Sequence, residues 1–318
     1  MKKSSTPIIK HLHDFLDWID VEKGLASTTQ ENYARFLERF FQWLRNNDLT
    51  DLKPHELSED HVWKYRIYLA RYAKGTGSEG LKRSTQQYYL IGLRSLLRYF
   101  TKRDITSLPP DKITLPKDDT GDEVRNLTID QLKKIFKAPD VSTKSGLRDR
   151  TILETFFSTG MRISELVALD KKQISSSINK DELELSITGK GRKTRTVYFS
   201  PRALKWLGRY LQSRKDDEPA LFVNYRAPKD ASRRLTPRSI QKRVKKYAVS
   251  AGLPQDTTPH VLRHSFATDL LRKGVDIRIL QEFLGHSSIT ATQIYTHVTD
   301  KQLRDIHGKF HGGDELDE

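Results

Sequence analysis

Cysteine is absent from all 318 residues. That excludes disulfides, thiolate-held zinc and a cysteine nucleophile. Long apolar runs are absent too. No stretch approaches the ~20 residues of a membrane span, and the N-terminal "MKKSSTPIIKHLHDFLDWID" carries two leading lysines but no apolar core of signal-peptide length. A cytoplasmic protein with no membrane contact is the expectation. Acidic charge is in short supply: 41 Asp+Glu stand against 56 Lys+Arg, a net charge of +15. The excess lies in the body of the chain, since residues 121–300 hold 33 basic against 20 acidic residues, and the last 18 hold 3 against 5. A folded basic surface implies a polyanionic partner, and nucleic acid is the commonest.

What is present in quantity is amphipathic helix. The length favours two domains, and the first hundred residues show four helical patterns. In "PIIKHLHDFLDWIDVEKG" the residues Ile9, Leu12, Phe15, Leu16 and Ile19 share a face, and Gly24 makes a stop. "STTQENYARFLERFFQWLRNND" opens on Ser27 and Thr28 as caps and continues with Tyr33, Phe36, Leu37, Phe40, Phe41 and Leu44. Ser58 caps a third helix, and a fourth turns Leu90, Leu93, Leu97 and Phe100 inward. Together these predict a small helical bundle over 1–110. "TSLPPDKITLPKDDTGDEV", with three prolines and five acidic residues, reads as a linker over 111–123.

The second domain, 124–300, reads as mixed, mainly α with a small β-hairpin. Ser164 could cap a helix, "SELVALDKKQI". Leu183, Leu185 and Ile187 alternate with polar neighbours, as do Val197 and Phe199 beyond a Gly-Lys-Gly turn, which predicts a hairpin with Lys190 at its tip. Further helical patterns follow, ending in "DIRILQEFLG", and residues 301–318 form a separate C-terminal segment.

"TPHVLRHSFATDLLRKGVDIRILQEFLGHSSITATQIYTHV" gathers His260, Arg263, His264, His286, Tyr295 and His297. On a helix His260 and Arg263 share a face, while Leu262, Phe266 and Leu270 occupy another. Zinc binding would need a ligand where Arg263 stands, and a guanidinium repels a cation. No metal and no cofactor are expected. Histidines and arginines in a basic domain suit an oxyanion instead: arginine offers a planar fork to phosphate, and histidine exchanges a proton near neutral pH.

These segments resemble the C-terminal signature of the tyrosine recombinase, or phage integrase, family, and most of all its Xer-type members. "FFSTGMRISELVALD" resembles the segment bearing the family's first arginine, and "ITGKGRKTRTVYF" its lysine hairpin. The resemblance implies a catalytic set of Arg162, Lys190, His260, Arg263, His286 and Tyr295. It implies a C-shaped clamp on double-stranded DNA, a 3′-phosphotyrosyl intermediate, and a tetramer on two duplexes, either of one chain or with a second recombinase. Glu165 reads as an orienter of an active-site group. Residues 301–318, with Leu303, Ile306 and Phe310 along one edge, are expected to pack in trans on a neighbouring subunit. Basic candidates for phosphate contact are Lys82, Arg83, Arg94, Lys193, Arg195, Arg238 and Lys242.

Three rival readings stay open here. A mobile-element integrase would often carry a further N-terminal domain, and a type IB topoisomerase would share the chemistry without a fixed site. A DNA-binding regulator would lack the complete catalytic set. Chromosome or plasmid dimer resolution is the favoured role.

Overall fold

The computed structural model describes residues 1–71, 80–116, 126–175, 183–189, 194–228 and 230–285. Of the expected functional residues, Lys190, Lys193, His286, Tyr295 and the whole 301–318 segment lie outside them. The chain divides into two units, Met1–Gly121 and Asp122–Glu318.

In the first unit α1 spans Leu12–Val21, α2 Ser27–Arg45, α3 Glu59–Arg71 and α4 Arg83–Lys102. The apolar stripes meet in one core, in which Phe15, Ile19, Leu37, Phe40, Phe41, Leu44, Leu90, Leu93, Leu97 and Phe100 are buried. Two tryptophans outside the expected stripes join them: Trp18 and Trp43 are also buried, and Trp18 keeps its indole N–H satisfied by donating to Glu22 at 2.6 Å. Ser58 accepts from the backbone N–H of His61 at the start of α3, as a cap should. Ser27 does not cap α2. The preceding Ala26 holds the N-cap position, with its carbonyl accepting the first turn's N–H of Thr29 and Gln30. Ile113 is buried in this same core, so the stretch read as a linker begins by packing on the first unit.

The second unit holds α5 (Ile129–Lys137), α6 (Lys144–Thr159), α7 (Ile163–Ala168), α8 (Lys172–Ser175), β1 (Leu183–Thr188), β2 (Thr194–Phe199), α9 (Pro201–Ser213), α10 (Pro237–Ser250), α11 (Pro259–Arg272) and α12 (Ile277–Leu284). Three helices start on the same device. Ser200, Thr236 and Thr258 each cap a helix whose first residue is proline, satisfying an orphan N–H while the proline presets φ. β1 and β2 pair antiparallel with Leu185 opposite Val197 and Ile187 opposite Arg195.

α6 runs through the middle of the unit, and it carries charge into the core. Arg148, Asp149, Arg150 and Glu154 are all buried. Each is paired: Arg148 donates to Asp149 at 2.6 Å and to the Val223 carbonyl at 2.6 Å, Tyr247 donates its hydroxyl proton to Asp149 at 2.8 Å, and Arg150 and Arg202 both grip Glu154. Removing one member would strand the others uncompensated. These pairs tie α9 and α10 to α6, which fixes the frame for the residues at its end.

Candidate active site

Where α6 ends, Gly160 takes a left-handed φ of 58°. A Cβ there would sit 2.4 Å from Phe266 of α11, so both the backbone and the space require glycine. The chain then enters α7 through Arg162, which occupies the N-cap position. Glu165 completes this cap by accepting the Arg162 backbone N–H at 2.6 Å. Ser164, expected as the cap, is exposed within the first turn instead.

α11 presents His260 and Arg263 beside this turn. Arg263, 3% exposed, donates to the Gly160 carbonyl and to the Leu284 carbonyl, each at 2.5 Å. Arg162 donates to Glu165 at 3.0 Å and to the Gly285 carbonyl at 3.1 Å. Arg195 of β2 places both Nη atoms on the two Glu165 oxygens, at 2.7 and 2.8 Å, and its Nε on the Phe283 carbonyl at 3.1 Å. Three arginines from three elements therefore meet three consecutive carbonyls, 283 to 285, at the end of α12. The physical reason is local. The last carbonyls of a helix lack intrahelical donors and carry the negative end of its dipole, so they attract guanidinium groups. Gly285, with φ of 60°, ends α12 one residue before His286.

Electrostatics at the site follow from this packing. Burial pushes the Glu165 carboxyl up, but Arg195, the Arg162 backbone N–H and the Arg162 guanidinium together hold it below the ordinary carboxylate value. It is a fixed anion at neutral pH. The His260 imidazole lies below its ordinary value, lowered by desolvation and then by the positive charges of Arg263 and Arg162. It is therefore neutral near pH 7 and able to accept a proton. His264 is buried, its ring edge-on to His260 at 4.2 Å between centroids.

Arg162, His260 and Arg263 are thus brought together. Gly189, the neighbour of Lys190, reaches the same place: a Cβ on it would lie 2.8 Å from a Glu165 oxygen. Among the described residues no cluster of histidine, aspartate and glutamate could hold a metal ion. The phosphate-contact candidates fall in both units. Lys82 and Arg83 are exposed at the start of α4, and Arg94 is half-buried along it. Arg238 and Lys242 are exposed four residues apart on α10, hence on one face.

Arg195, another of the phosphate-contact candidates, turns its guanidinium onto Glu165, with a side chain 9% exposed. A signal for this existed in the sequence. Position 195 is in phase with the buried Val197 and Phe199, and a charge on the inward face of a strand needs a partner.

Comparison with known proteins supports one assignment. The phage integrase family model matches residues 125–302, and the phage integrase N-terminal SAM-like domain matches 12–107. The chain belongs to the phage integrase family. It is 37% identical over 305 residues to tyrosine recombinase XerD of Lacticaseibacillus casei, covering 94% of this chain and 97% of that protein. It is 33% identical to tyrosine recombinase XerC of Vibrio cholerae, covering 94% and 92%. The fold is that of an XerH site-specific recombinase bound to its difH substrate, with TM-score 0.72 and 22% identity over 98% of each chain. A Tn1549 transposon integrase in complex with circular intermediate DNA superposes with TM-score 0.70 at 20% identity, covering 95% of this chain and 99% of that one. As a tyrosine recombinase of Xer type, this phage integrase family member is a DNA strand-transferring enzyme of site-specific recombination.

Proposed function

We propose that this recombinase resolves chromosome or plasmid dimers in the cytoplasm, acting as a tetramer on two double-stranded DNA sites, alone or with a second recombinase. The observation that carries the catalytic part is the convergence of Arg162 and Arg263 on the end of α12, one residue before His286, with His260 close enough to both arginines to feel their charge. Arg162 and Arg263 bind the two non-bridging oxygens of the scissile phosphate and offset the charge that develops at phosphorus. His260, kept neutral by desolvation and by its cationic neighbours, takes the proton of Tyr295. The Tyr295 Oη attacks phosphorus, the bond from phosphorus to the 5′ oxygen breaks, and Lys190 supplies the proton that makes the 5′ hydroxyl. His286 donates a hydrogen bond to the phosphate. One phosphodiester is exchanged for another ester, so no nucleotide is consumed, and attack by a 5′ hydroxyl reverses the step.

Arginine, lysine and histidine supply the positive charge that other phosphoryl-transfer enzymes draw from magnesium. The XerD and XerC relatives each match 94% of this chain and support the dimer-resolving role over an integrase of mobile DNA. The test is a nicked suicide substrate. Tyr295→Phe should bind the site with unchanged affinity and form no covalent adduct. An adduct that persists in that variant would remove Tyr295 from its role.

A further inference from the structure

We propose that Arg195, which lies outside the proposed catalytic set, is a positioning residue for strand cleavage. It clamps Glu165 and the end of α12 together, so that Arg162 and the chain entering His286 are held in register with each other.

The geometry is specific. Glu165 has two carboxylate oxygens, and both are engaged twice: Oε1 accepts from Arg195 and Arg162, and Oε2 accepts from Arg195 and from the backbone N–H of Arg162. The bidentate fork of Arg195 thus fixes the plane of the carboxylate that orients Arg162. The same guanidinium spends its Nε on the Phe283 carbonyl, two residues before Gly285, whose own carbonyl takes the other end of Arg162. A closed loop of contacts results: β2 to α7, α7 to the end of α12, and α12 back to β2. Tyr198 and Phe283 add an edge-to-face ring contact between the same strand and helix, with centroids 5.7 Å apart. Close packing around Arg195 leaves little slack, since a Cβ on Gly285 would meet its Cδ at 2.7 Å. Arg195 touches neither reacting atom in this scheme. It acts through Glu165 and through α12.

Among the described residues, the charges acting on the Glu165 carboxylate are Arg195 from β2 and Arg162 from the start of its own helix. Taking Arg195 away leaves a buried carboxylate with one cation, and its affinity for a proton rises. A protonated Glu165 no longer holds the Arg162 guanidinium by charge. Loss of Arg195 should therefore show itself as a pH effect on cleavage, which a residue that merely stabilises the fold, or merely contacts DNA, would not produce.

The inference rests on Arg162 acting at the scissile phosphate, and the experiment separates the two ideas. Single-turnover cleavage of a nicked suicide substrate, at saturating protein, is measured from pH 5 to pH 8 for the intact chain, Arg195→Gln, Arg195→Lys and Arg195→Gln combined with Glu165→Gln. Failure of the intact chain to form an adduct would sink the catalytic assignment itself. Given an active intact chain, Arg195→Gln should cleave on the order of 100-fold more slowly, the size of loss expected from roughly 1 Å of misplacement, while DNA affinity stays within about twofold. Its rate should fall on the acid side more steeply, and from a higher pH, than the intact chain's. The double variant, which has no carboxyl to titrate at 165, should be slow but should lack that extra acid limb. Arg195→Lys keeps the charge without the fork, and should be intermediate in rate with less acid sensitivity. It carries the comparison if glutamine prevents folding. The proposal is overturned if Arg195→Gln cleaves at the intact rate once bound, if its loss lies in DNA affinity alone, or if its pH profile keeps the shape of the intact chain's or of the double variant's.

Discussion

A histidine that accepts a proton from tyrosine works only while it is neutral, and the chain arranges this with charge. His260 is exposed, yet desolvation and the neighbouring Arg263 and Arg162 lower its pKa from 6.5. In an NMR titration of the free protein the His260 ring should show its midpoint below pH 6.5, and Arg162→Gln should move that midpoint upward by removing one of the repelling charges. A midpoint at or above the ordinary value in the intact chain would contradict the arrangement. The linkage sign follows from the direction of the shift. A histidine whose folded pKa is depressed leaves stability intact above about pH 6.5 and withdraws it as the pH falls through the folded value. Cleavage should therefore persist into mildly acidic solution rather than fail at the pKa of a free imidazole. At this scale the sequence was partly legible. Arg162, His260 and Arg263 could be named through the family resemblance, because it is carried by two short segments local in sequence. The partner of Arg195 could not be named, because a strand's alternation shows that a charge points inward without showing what it meets.

Helix ends do most of the placing at the scale of elements. Gly160 and Gly285 end α6 and α12 in the left-handed region, and the carbonyls beside them accept the arginines of the site. Gly285→Ala should cost about 1–2 kcal/mol for the strained backbone, and more where the new methyl meets Arg195. In a unit of this size that is a fall of roughly 2–8 °C in Tm by scanning calorimetry, accompanied by slower cleavage because the end of α12 moves. An unchanged Tm and cleavage rate would mean that α12 ends without need of its glycine. Ser200, Thr236 and Thr258, each followed by a proline, cap three helices whose cores are read from sequence as helical patterns. Ser27 and Ser164 misled, and for one reason. A serine near a helix start is as much a first-turn residue as a cap, and the choice depends on where the preceding chain must go. At Arg162 the backbone N–H is satisfied by Glu165 from within the helix, so no serine is required.

On the scale of the whole molecule, the excess of basic residues gives long-range attraction to DNA, and two separately cored units give two surfaces to apply it. Among the described residues no helix is long and apolar enough to cross a membrane. Residues 301–318 carry Leu303, Ile306 and Phe310 ahead of an acidic end. If this segment docks on a neighbouring subunit, a chain ending after Asp300 should still bind a single site but lose cooperative pairing at least tenfold, about 1.4 kcal/mol, and with it strand exchange. Gel-shift stoichiometry together with a recombination assay checks this, and full recombination by the shortened chain would make the segment local packing.

The sequence by itself determined the helical character of both units, the hairpin, the net charge and the order of the motif segments. Each of these depends on residues within a turn or two of one another, or on sums over the whole chain. Only the tertiary structure decided which charges are buried and which of them meet. Arg162 finds the Gly285 carbonyl 123 residues away, Arg263 finds Gly160 at 103, and Arg195 finds Glu165 at 30. Periods of 3.6 and 2 say which face of an element turns inward. They carry no record of the face it turns toward, and that pairing is settled by close packing and by the requirement that every buried charge have a partner.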